Sequence, residues 1–352
     1  MADEYPIVTK EEFIKGVGNT PLIKIESLSK ETGREIYVKA EFKNSGKSIK
    51  DRAAIYLLND ALSKGELTPG GTLVEATAGN TGIALALLAR TYDPPFKVRL
   101  FVPETLVPEK IAILESLGAT VILGPIVPQD HPEFVNNLAK RYAAENDNTI
   151  HVNQMDSLVN RKAHYENTGP EIWEQTNGKI NAFIAASGTG GTYSGVSTYL
   201  KEVSNGKVST YVADREGSGL HSYIQSKGEN WDAEGTSFVE GVGKLAHTGN
   251  TRGILDYTSG SYRILDEEVL VTLYRLLDEE NLSVGASSAL NLTAAKKLAL
   301  TLPEGSIVVT TAADTSERYA SKAFNKEWLI ENGHWDKIPQ HLHKYATFTS
   351  SS

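Results

Sequence analysis

Two lysines in the segment EFKNSGKSIKDR, residues 41–52, are of a type and spacing that could perform chemistry. The triplet GKS matches the end of a phosphate-binding P-loop, but that motif requires a glycine five positions before Gly46. The residue there is Glu41, so a nucleotide-binding P-loop is not predicted. Lys50 instead opens the pattern DRAAIYLLNDAL, which predicts a helix. The buried face of this helix would carry four apolar residues: Ala54, Ile55, Leu58 and Leu62.

A glycine-rich loop, SGTGGT at 187–192, lies between a buried-strand pattern and a helical pattern. Glycines allow backbone N–H groups to approach an anion closely, and a helix N-terminus adds a partial positive charge. The loop therefore favours a phosphate group, with close helix packing as the alternative reason for its glycines. A dinucleotide fits less well, because the GxGxxG fingerprint needs its third glycine at Tyr193, whereas the sequence has it at Gly195.

A second loop, EATAGNTG at 75–82, occupies the same place in an earlier series of elements. Its hydroxyl and amide side chains, at Thr77, Asn80 and Thr81, stand at a helix start and suit a carboxylate. Ordinary N-capping by Asn80 or Thr81 is the alternative. Open α/β sheets bind ligands at the carboxyl ends of their strands, so the two glycine loops are expected to belong to one site.

The two loops give Lys50 a chemical interpretation. A lysine that is desolvated beside a phosphate loop has a lowered pKa, and its neutral amine can form a Schiff base. The sequence thus combines a candidate nucleophilic amine with a phosphate loop and a carboxylate loop.

The elements that must position these residues alternate along the chain. Short β-branched runs such as TLVEATAG, KVRLFVPE and TVILGP are separated by helical patterns, and a second series starts at INAFIAASGTGG. This rhythm predicts βαβ units around parallel sheets. Between the two series lies the polar stretch HVNQMDSLVNRKAHYENTGPEIWEQ, which indicates a domain junction, where clefts form.

Length and composition exclude several classes of protein. A chain of 352 residues favours two domains. The formal net charge of −9, from 44 acidic and 35 basic side chains, argues against a nucleic-acid or membrane surface. The lack of cysteine excludes disulfides, thiolate metal sites and a cysteine nucleophile, and no metal is predicted. The opening MADEYPIVTKEEF has no signal-peptide features, and no apolar run reaches a membrane-spanning length, so a cytoplasmic protein is expected.

Six motifs resemble, in their order, those of the cysteine synthases, or O-acetylserine sulfhydrylases. These enzymes belong to the pyridoxal-phosphate-dependent β-family, which also contains cystathionine β-synthase. The motifs are GNTPL at 18–22, SIKDR at 48–52, GNTG at 79–82, GTGGT at 188–192, EGVG at 240–243 and ERY at 317–319. Together they span nearly the whole chain.

The resemblance implies the α/β architecture of fold type II, similar to the tryptophan synthase β subunit. Two open, twisted, mostly parallel sheets would be flanked by helices, with the active site in the cleft between two domains. The smaller domain is expected at 36–155, and the larger, cofactor-binding domain at 1–35 plus 156–345. Residues 346–352 are expected to form a disordered tail, and the protein is expected to be a homodimer.

The resemblance also implies a set of site residues. Lys50 would hold pyridoxal 5′-phosphate as a Schiff base, while Lys47 would be a solvent-facing charge. The cofactor phosphate would be bound by five residues: Gly188, Thr189, Gly190, Gly191 and Thr192. Asn80 would bind the 3′ oxygen of the ring. The α-carboxylate of the substrate would be bound by Thr77, Gly79, Thr81 and Gln154.

The chain departs from the family pattern at three places, one of which is the SSG turn, present here as Ser287-Ser288-Ala289. The asparagine loop of the family often reads Thr-Ser-Gly-Asn-Thr, but Ala78 replaces the serine, so one hydroxyl is missing. The partner of the pyridine nitrogen is usually a serine shortly before the ERY motif. Here Asp314 and Thr315 are both candidates to bind the cofactor; Thr315 is the expected contact, with Asp314 turned to backbone groups.

The implied reaction is a β-replacement on an O-activated L-serine through an aminoacrylate intermediate, with O-acetyl-L-serine and sulfide giving L-cysteine. Lys50 would remove the α-proton. Other β-replacements, such as cystathionine formation, and serine or threonine dehydration are alternatives. The regulatory carboxy-terminal domains of many cystathionine synthases are not expected, because the chain ends soon after Lys344. A ligand-binding protein on the same fold and a dinucleotide-dependent dehydrogenase are alternatives from other classes.

Overall fold

The structure is a computed structural model that describes residues 5–347. Most of the predicted disordered tail, residues 348–352, lies outside the described residues, and Ala346 at its beginning is buried. Within the described range, no helix combines the length and the apolar character that crossing a membrane requires.

Strands and helices alternate through the described residues, as the sequence predicted. The strands are β1 (Leu22–Lys24), β2 (Glu35–Ala40), β3 (Thr72–Glu75), β4 (Lys97–Pro103), β5 (Ala119–Gly124), β6 (Thr149–His151), β7 (Ala182–Ala186), β8 (Ser209–Arg215), β9 (Gly260–Ile264) and β10 (Ile307–Ala312). The α-helices are α1 (Lys10–Lys15), α2 (Glu26–Thr32), α3 (Lys50–Ser63), α4 (Asn80–Ala89), α5 (Pro108–Ser116), α6 (Val135–Glu145), α7 (Leu158–Ala163), α8 (Gly169–Gln175), α9 (Gly191–Val203), α10 (Leu220–Gln225), α11 (Ile254–Tyr257), α12 (Asp266–Glu280), α13 (Ala286–Ala299), α14 (Ala320–Ala323) and α15 (Lys326–Glu331).

The chain forms two compact units. The smaller unit comprises Met1–Gly18 and Asn44–Ala163, and the larger unit comprises Asn19–Lys43 and His164–Ser352. Each unit therefore draws on two separate stretches of the chain.

These bounds differ from those expected from the sequence, which assigned 36–155 to the smaller domain and 1–35 to the larger one. Residues 36–43 belong to the larger unit because β2 pairs there with β1 and β10. Residues 1–18 belong to the smaller unit, where Phe13 is buried in the hydrophobic core.

The smaller unit contains a four-stranded, fully parallel sheet in the order β5-β4-β3-β6. Leu73 and Val74 of the inner strand β3 have no exposed surface. Helix α4 follows β3, and every residue of this helix after Asn80 is buried. A helix that is enclosed on all sides is apolar all round, as the sequence GIALALLA requires.

The larger unit contains a six-stranded sheet in the order β1-β2-β10-β7-β8-β9. Strand β1 is antiparallel to β2, and all other neighbours are parallel. Helix α13, with buried residues along nearly its whole length, packs across strands β2, β10, β7, β8 and β9. The predicted α/β fold with mostly parallel sheets flanked by helices is confirmed.

Helix α3 begins at Lys50, where the sequence predicted a helix start. Ala54 and Leu58 are buried as predicted, but Ile55 and Leu62 are only partly buried. The buried stripe is turned towards Ala53, Leu57 and Ala61 because α3 packs against α4 and α7.

We expect Leu58→Ala to destabilise the smaller unit by about 2–5 kcal/mol, because it removes a fully buried side chain and leaves a cavity. Chemical denaturation followed by circular dichroism measures this as a lower transition midpoint. The matched control is Ile126→Ala in the same unit, whose side chain is 65% exposed and whose effect should stay within about 0.5 kcal/mol. Equal midpoints for the two variants would contradict the packing of α3.

Candidate active site

Lys50 follows a tight turn that is held by hydrogen bonds. Oδ2 of the fully buried Asp51 accepts from Gly46 N at 2.6 Å. Asn44 Nδ2 donates to Ser48 O at 3.1 Å, and Lys50 N donates to Ser48 Oγ at 3.3 Å. The position of the Lys50 backbone is therefore defined on both sides, which a residue with a chemical role requires.

Lys47, three residues before Lys50, is half-buried and has a left-handed backbone with φ of 60°. Its Nζ lies over the ring of Tyr5, 5.1 Å from the centroid. Lys47 was expected to be a solvent-facing charge; its half-buried position agrees with an aliphatic part that covers apolar surface and an ammonium that favours an aromatic face.

The start of helix α4 is arranged for an anion. Its N-cap is Gly79, which has no side chain that could accept from the N–H groups of the first turn. The first turn carries no acidic residue, so the partial positive charge of the helix is not neutralised there. Thr77 Oγ1 accepts from Gly79 N at 3.3 Å and shapes the loop before the helix. Because Gly79 is the N-cap, ordinary capping by Asn80 or Thr81 does not account for this loop.

Gln154 lies beside this helix start, as part of the same unit. Its Oε1 accepts a hydrogen bond of 2.6 Å from Thr81 Oγ1, and both side chains are buried. Two residues that the sequence assigned to one carboxylate site, 73 positions apart, are thus in direct contact.

Glu75 is a residue of this region that the sequence analysis did not single out. It ends the otherwise apolar strand β3, and its carboxylate accepts from the backbone N–H groups of Ala76 and Gln154. The sequence feature that could have identified Glu75 is a charged residue at the end of the buried strand TLVE.

The glycine-rich loop of the larger unit leads from β7 into α9. Gly190 is the N-cap of α9, with a left-handed φ of 87°, and it offers no side chain to the first turn. A Cβ atom on Gly188 would collide with the carbonyl oxygen of Gly241, and one on Gly190 would collide with the Thr251 side chain. Close packing therefore requires both glycines, and the resulting turn leads directly into the N-terminus of a 13-residue helix, whose partial positive charge suits a phosphate.

The loop that follows α10 holds this glycine turn in place. Gly243 N donates to Ser187 O at 2.9 Å, and Thr248 Oγ1 donates to Thr189 O at 2.7 Å. Within the cradle, Gly191 N donates to Thr189 Oγ1 at 3.3 Å. The EGVG motif at 240–243 is thus a structural partner of the glycine loop.

His164 is a second residue that the sequence did not single out. Its ring is buried, with Nδ1 at 2.9 Å from Thr168 Oγ1 and Nε2 at 3.1 Å from Thr192 Oγ1. The imidazole therefore fixes the orientation of the Thr192 side chain at the start of α9.

The two candidates near the ERY motif have different environments. Asp314 is buried, and its Oδ2 accepts from the Tyr319 hydroxyl at 3.2 Å. Burial, with the neighbouring Asp314 carboxylate, raises the pKa of Tyr319 well above its usual value, so this phenol remains a donor. Thr315 is half-buried and precedes the 3₁₀ turn Ser316–Tyr319 as its N-cap residue.

The described residues fit a phosphate-bearing carbonyl cofactor. Taken by itself, the larger unit has a glycine turn before α9 that suits a phosphate; taken by itself, the smaller unit has Lys50 at the head of α3 and a glycine N-cap at α4. Over residues 5–347 there is no cluster of three or more His, Asp or Glu side chains that could hold a metal ion.

Comparison with known proteins agrees with this class of enzyme. The chain belongs to the pyridoxal-phosphate dependent enzyme family, whose sequence model matches residues 14–314. The predicted family and cofactor are thereby confirmed, and the dinucleotide alternative is dropped.

Two curated relatives and one solved structure are particularly similar. The chain is 49% identical over 337 residues to cysteine synthase 1 of Emericella nidulans, covering 95% of this chain and 90% of that protein. It is 49% identical over 329 residues to cysteine synthase 1 of Neurospora crassa, covering 94% and 87% respectively. The crystal structure of the O-acetylserine dependent cystathionine beta-synthase from Helicobacter pylori superposes with a TM-score of 0.77 at 32% identity, covering 90% of this chain and 98% of that one.

We expect Thr192→Val and Gly190→Leu to weaken retention of pyridoxal phosphate by about tenfold or more, since one removes a hydroxyl donor and the other fills the cradle. The ratio of cofactor absorbance to protein after dialysis measures the loss. Thr301→Val and Gly305→Leu are matched controls: Thr301 is exposed, and Gly305 has a left-handed backbone with open space around it. Equal retention in all four variants would refute the cradle.

Proposed function

We propose that this protein catalyses the β-replacement of O-acetyl-L-serine by sulfide, giving L-cysteine and acetate. The main support is the 49% identity to two cysteine synthases over nearly the whole chain. The arrangement at α4, where Thr81 and Gln154 meet beside an uncapped helix start, agrees with an amino-acid carboxylate as the bound group.

In the larger unit, the loop formed by Gly188, Thr189, Gly190, Gly191 and Thr192 binds the cofactor phosphate through its backbone N–H groups and hydroxyls. Thr315 contacts the pyridine nitrogen, with Asp314 beside it in the cofactor-binding segment. The hydrogen bond between Asp314 and Tyr319 supports this choice, because it already engages one carboxylate oxygen.

In the smaller unit, Lys50 would hold the cofactor through its side-chain amine, and Asn80 would bind the 3′ oxygen. Thr77, Gly79, Thr81 and Gln154 bind the substrate α-carboxylate. The bound cofactor supplies the electron sink for cleavage at the α-carbon. Nζ of Lys50, released when the α-amino group of the donor takes its place, would remove the α-proton as a general base; acetate would leave from Cβ, hydrosulfide would form the new C–S bond, and the Lys50 ammonium would return the proton to Cα.

Cystathionine formation is a second candidate function, favoured by the similarity to the O-acetylserine dependent cystathionine beta-synthase. The two activities share the amino-acid donor and differ in the incoming thiol. The donor-binding residues are therefore the same in both cases.

Donor and acceptor are tested separately. The holoenzyme is mixed with O-acetyl-L-serine, O-phospho-L-serine or L-serine, and the change in cofactor absorbance identifies the donor. Sulfide or L-homocysteine is then added, and the product is identified by mass spectrometry. Cysteine from O-acetyl-L-serine is expected; product from homocysteine alone would establish the second candidate, and no spectral change with any donor would refute both.

We also propose a cytoplasmic homodimer. The acidic composition and the family resemblance support this assignment. Sedimentation of the purified protein and imaging of a tagged protein test the two statements.

We expect Lys50→Ala to lower turnover at least about a thousandfold, because it removes both the covalent attachment and the general base. Lys47→Ala is the matched control within the same segment. It removes the contact with Tyr5 and should cost only about 0.5–1 kcal/mol of stability, with activity retained. Initial rates and circular dichroism of both variants are the measurements. Full activity in Lys50→Ala together with loss in Lys47→Ala would reverse the assignment.

A further inference from the structure

The carboxylate-binding residues of the smaller unit share one buried anchor, Glu75. This residue ends β3 and is 1% exposed. It pairs across the sheet with Leu100 of β4. Burying a carboxylate costs free energy unless hydrogen bonds replace its lost hydration.

Both oxygens of Glu75 accept a backbone N–H group. Oε1 accepts from Ala76 N at 2.8 Å, and Oε2 accepts from Gln154 N at 2.9 Å. The last backbone bond of the ladder runs from Val152 N to Val74 O, at 2.9 Å. Where the pairing of β3 and β6 ends, the Glu75 side chain therefore accepts the next hydrogen bond in place of a backbone carbonyl.

Gln154 is held at three atoms. Glu75 accepts from its backbone N–H, its backbone oxygen accepts from Asn160 Nδ2 at 2.9 Å, and its side-chain oxygen accepts from Thr81 Oγ1 at 2.6 Å. The hydrogen bond from the Thr81 hydroxyl to Oε1 defines the orientation of the Gln154 side-chain amide. Such a group recognises a carboxylate only if its orientation is fixed.

We propose that Glu75 is a positioning residue for the substrate carboxylate: its two oxygens hold Ala76, at the base of the loop 77–82, and Gln154 in one fixed arrangement. This inference rests on the proposed function, in which both segments bind the α-carboxylate of an amino acid.

The charge of Glu75 makes the anchor sensitive to pH. Burial raises the pKa of the Glu75 carboxyl to about 7, although the two N–H donors act in the opposite direction. From β6, His151 Nε2 faces it at 3.8 Å, and burial lowers the pKa of this histidine to about 4. The charges acting on His151 are Lys140 of α6, which favours its neutral form, and Asp156, which opposes it. His151 is therefore neutral near pH 7 and does not compensate the charge of Glu75.

The sign of the pH effect follows from the hydrogen bonds. Above pH 7 the ionised Glu75 accepts from both amides. Below pH 7 one oxygen carries a proton and becomes a donor, so one of the two amides loses its acceptor. A buried N–H without an acceptor is costly, and the segment that loses it shifts. Binding of the amino-acid donor should therefore weaken as the pH falls through 7.

The test compares Glu75→Gln with the control Glu66→Gln, which changes an exposed glutamate of the same unit. The glutamine is isosteric with the protonated carboxyl and offers only one acceptor oxygen. At pH 8 we expect the KM for O-acetyl-L-serine to rise about tenfold in Glu75→Gln, with kcat changed less than about threefold. The ratio of this KM to that of the wild type should fall towards one at pH 6, where the wild type has lost the same bond. A ratio that does not depend on pH indicates a merely structural role and overturns the proposal.

Amide hydrogen exchange measured by mass spectrometry gives a readout that does not depend on activity. Glu75→Gln should accelerate exchange in the peptides containing Ala76 and Gln154, with the phosphate loop at 187–192 unchanged. Unchanged exchange at both amides overturns the proposal even if the kinetics change.

The wild-type protein decides the question if Glu75→Gln does not fold. Exchange at Gln154, corrected for its intrinsic pH dependence, should become less protected between pH 8 and pH 6; constant protection overturns the proposal. Failure of the proposed function is recognised separately, because the wild type would then give no spectral response to any amino-acid donor. If the wild type gives a spectral response to a donor while Glu75→Gln and Glu66→Gln have the same KM and the same amide exchange, only the role of Glu75 is refuted.

Discussion

The proposed chemistry of both units depends on the same feature, a helix that follows a parallel strand and begins at a glycine N-cap. In the larger unit α9 begins after β7 with Gly190 as N-cap, and in the smaller unit α4 begins with Gly79. A glycine cannot cap the helix with a side chain, so the helix dipole at these starts favours an anion. The same structural feature, used twice, underlies both the proposed phosphate site and the proposed carboxylate site.

A helix start without a side-chain cap can bind a ligand specifically only if the side chains around it have fixed positions. Buried polar side chains fix these positions. His164 orients Thr192 in the larger unit, and Glu75 ties Gln154 to the end of β3 in the smaller one. Because leaving such groups unpaired in the interior is costly, each has a narrow choice of conformations. Groups of this kind stabilise the fold little, but they define where the ligand-binding atoms lie.

Much of the site could be predicted because its parts are local in sequence. The glycine loops, the helix starts and the position of Lys50 at the head of α3 follow from turn residues and hydrophobic periodicity over a few neighbouring residues. The roles of the individual residues were predicted from the resemblance to a family. The sequence comparison confirmed the family. The expected face of α3 was only partly right, since α4 and α7 determine which side of the helix is buried.

The sequence by itself determined the α/β class, the alternation of elements and the two glycine loops, because these depend on properties of adjacent residues. Only the tertiary structure decided that 1–18 belong with the smaller unit, that Asp314 pairs with Tyr319, and that Glu75 and His164 support the binding loops. The physical reason is that burial and hydrogen-bond partners are set by residues far apart in the chain. Glu75 and Gln154 are 79 positions apart, and a strand sequence contains no local signal for the partner that its last side chain will bind.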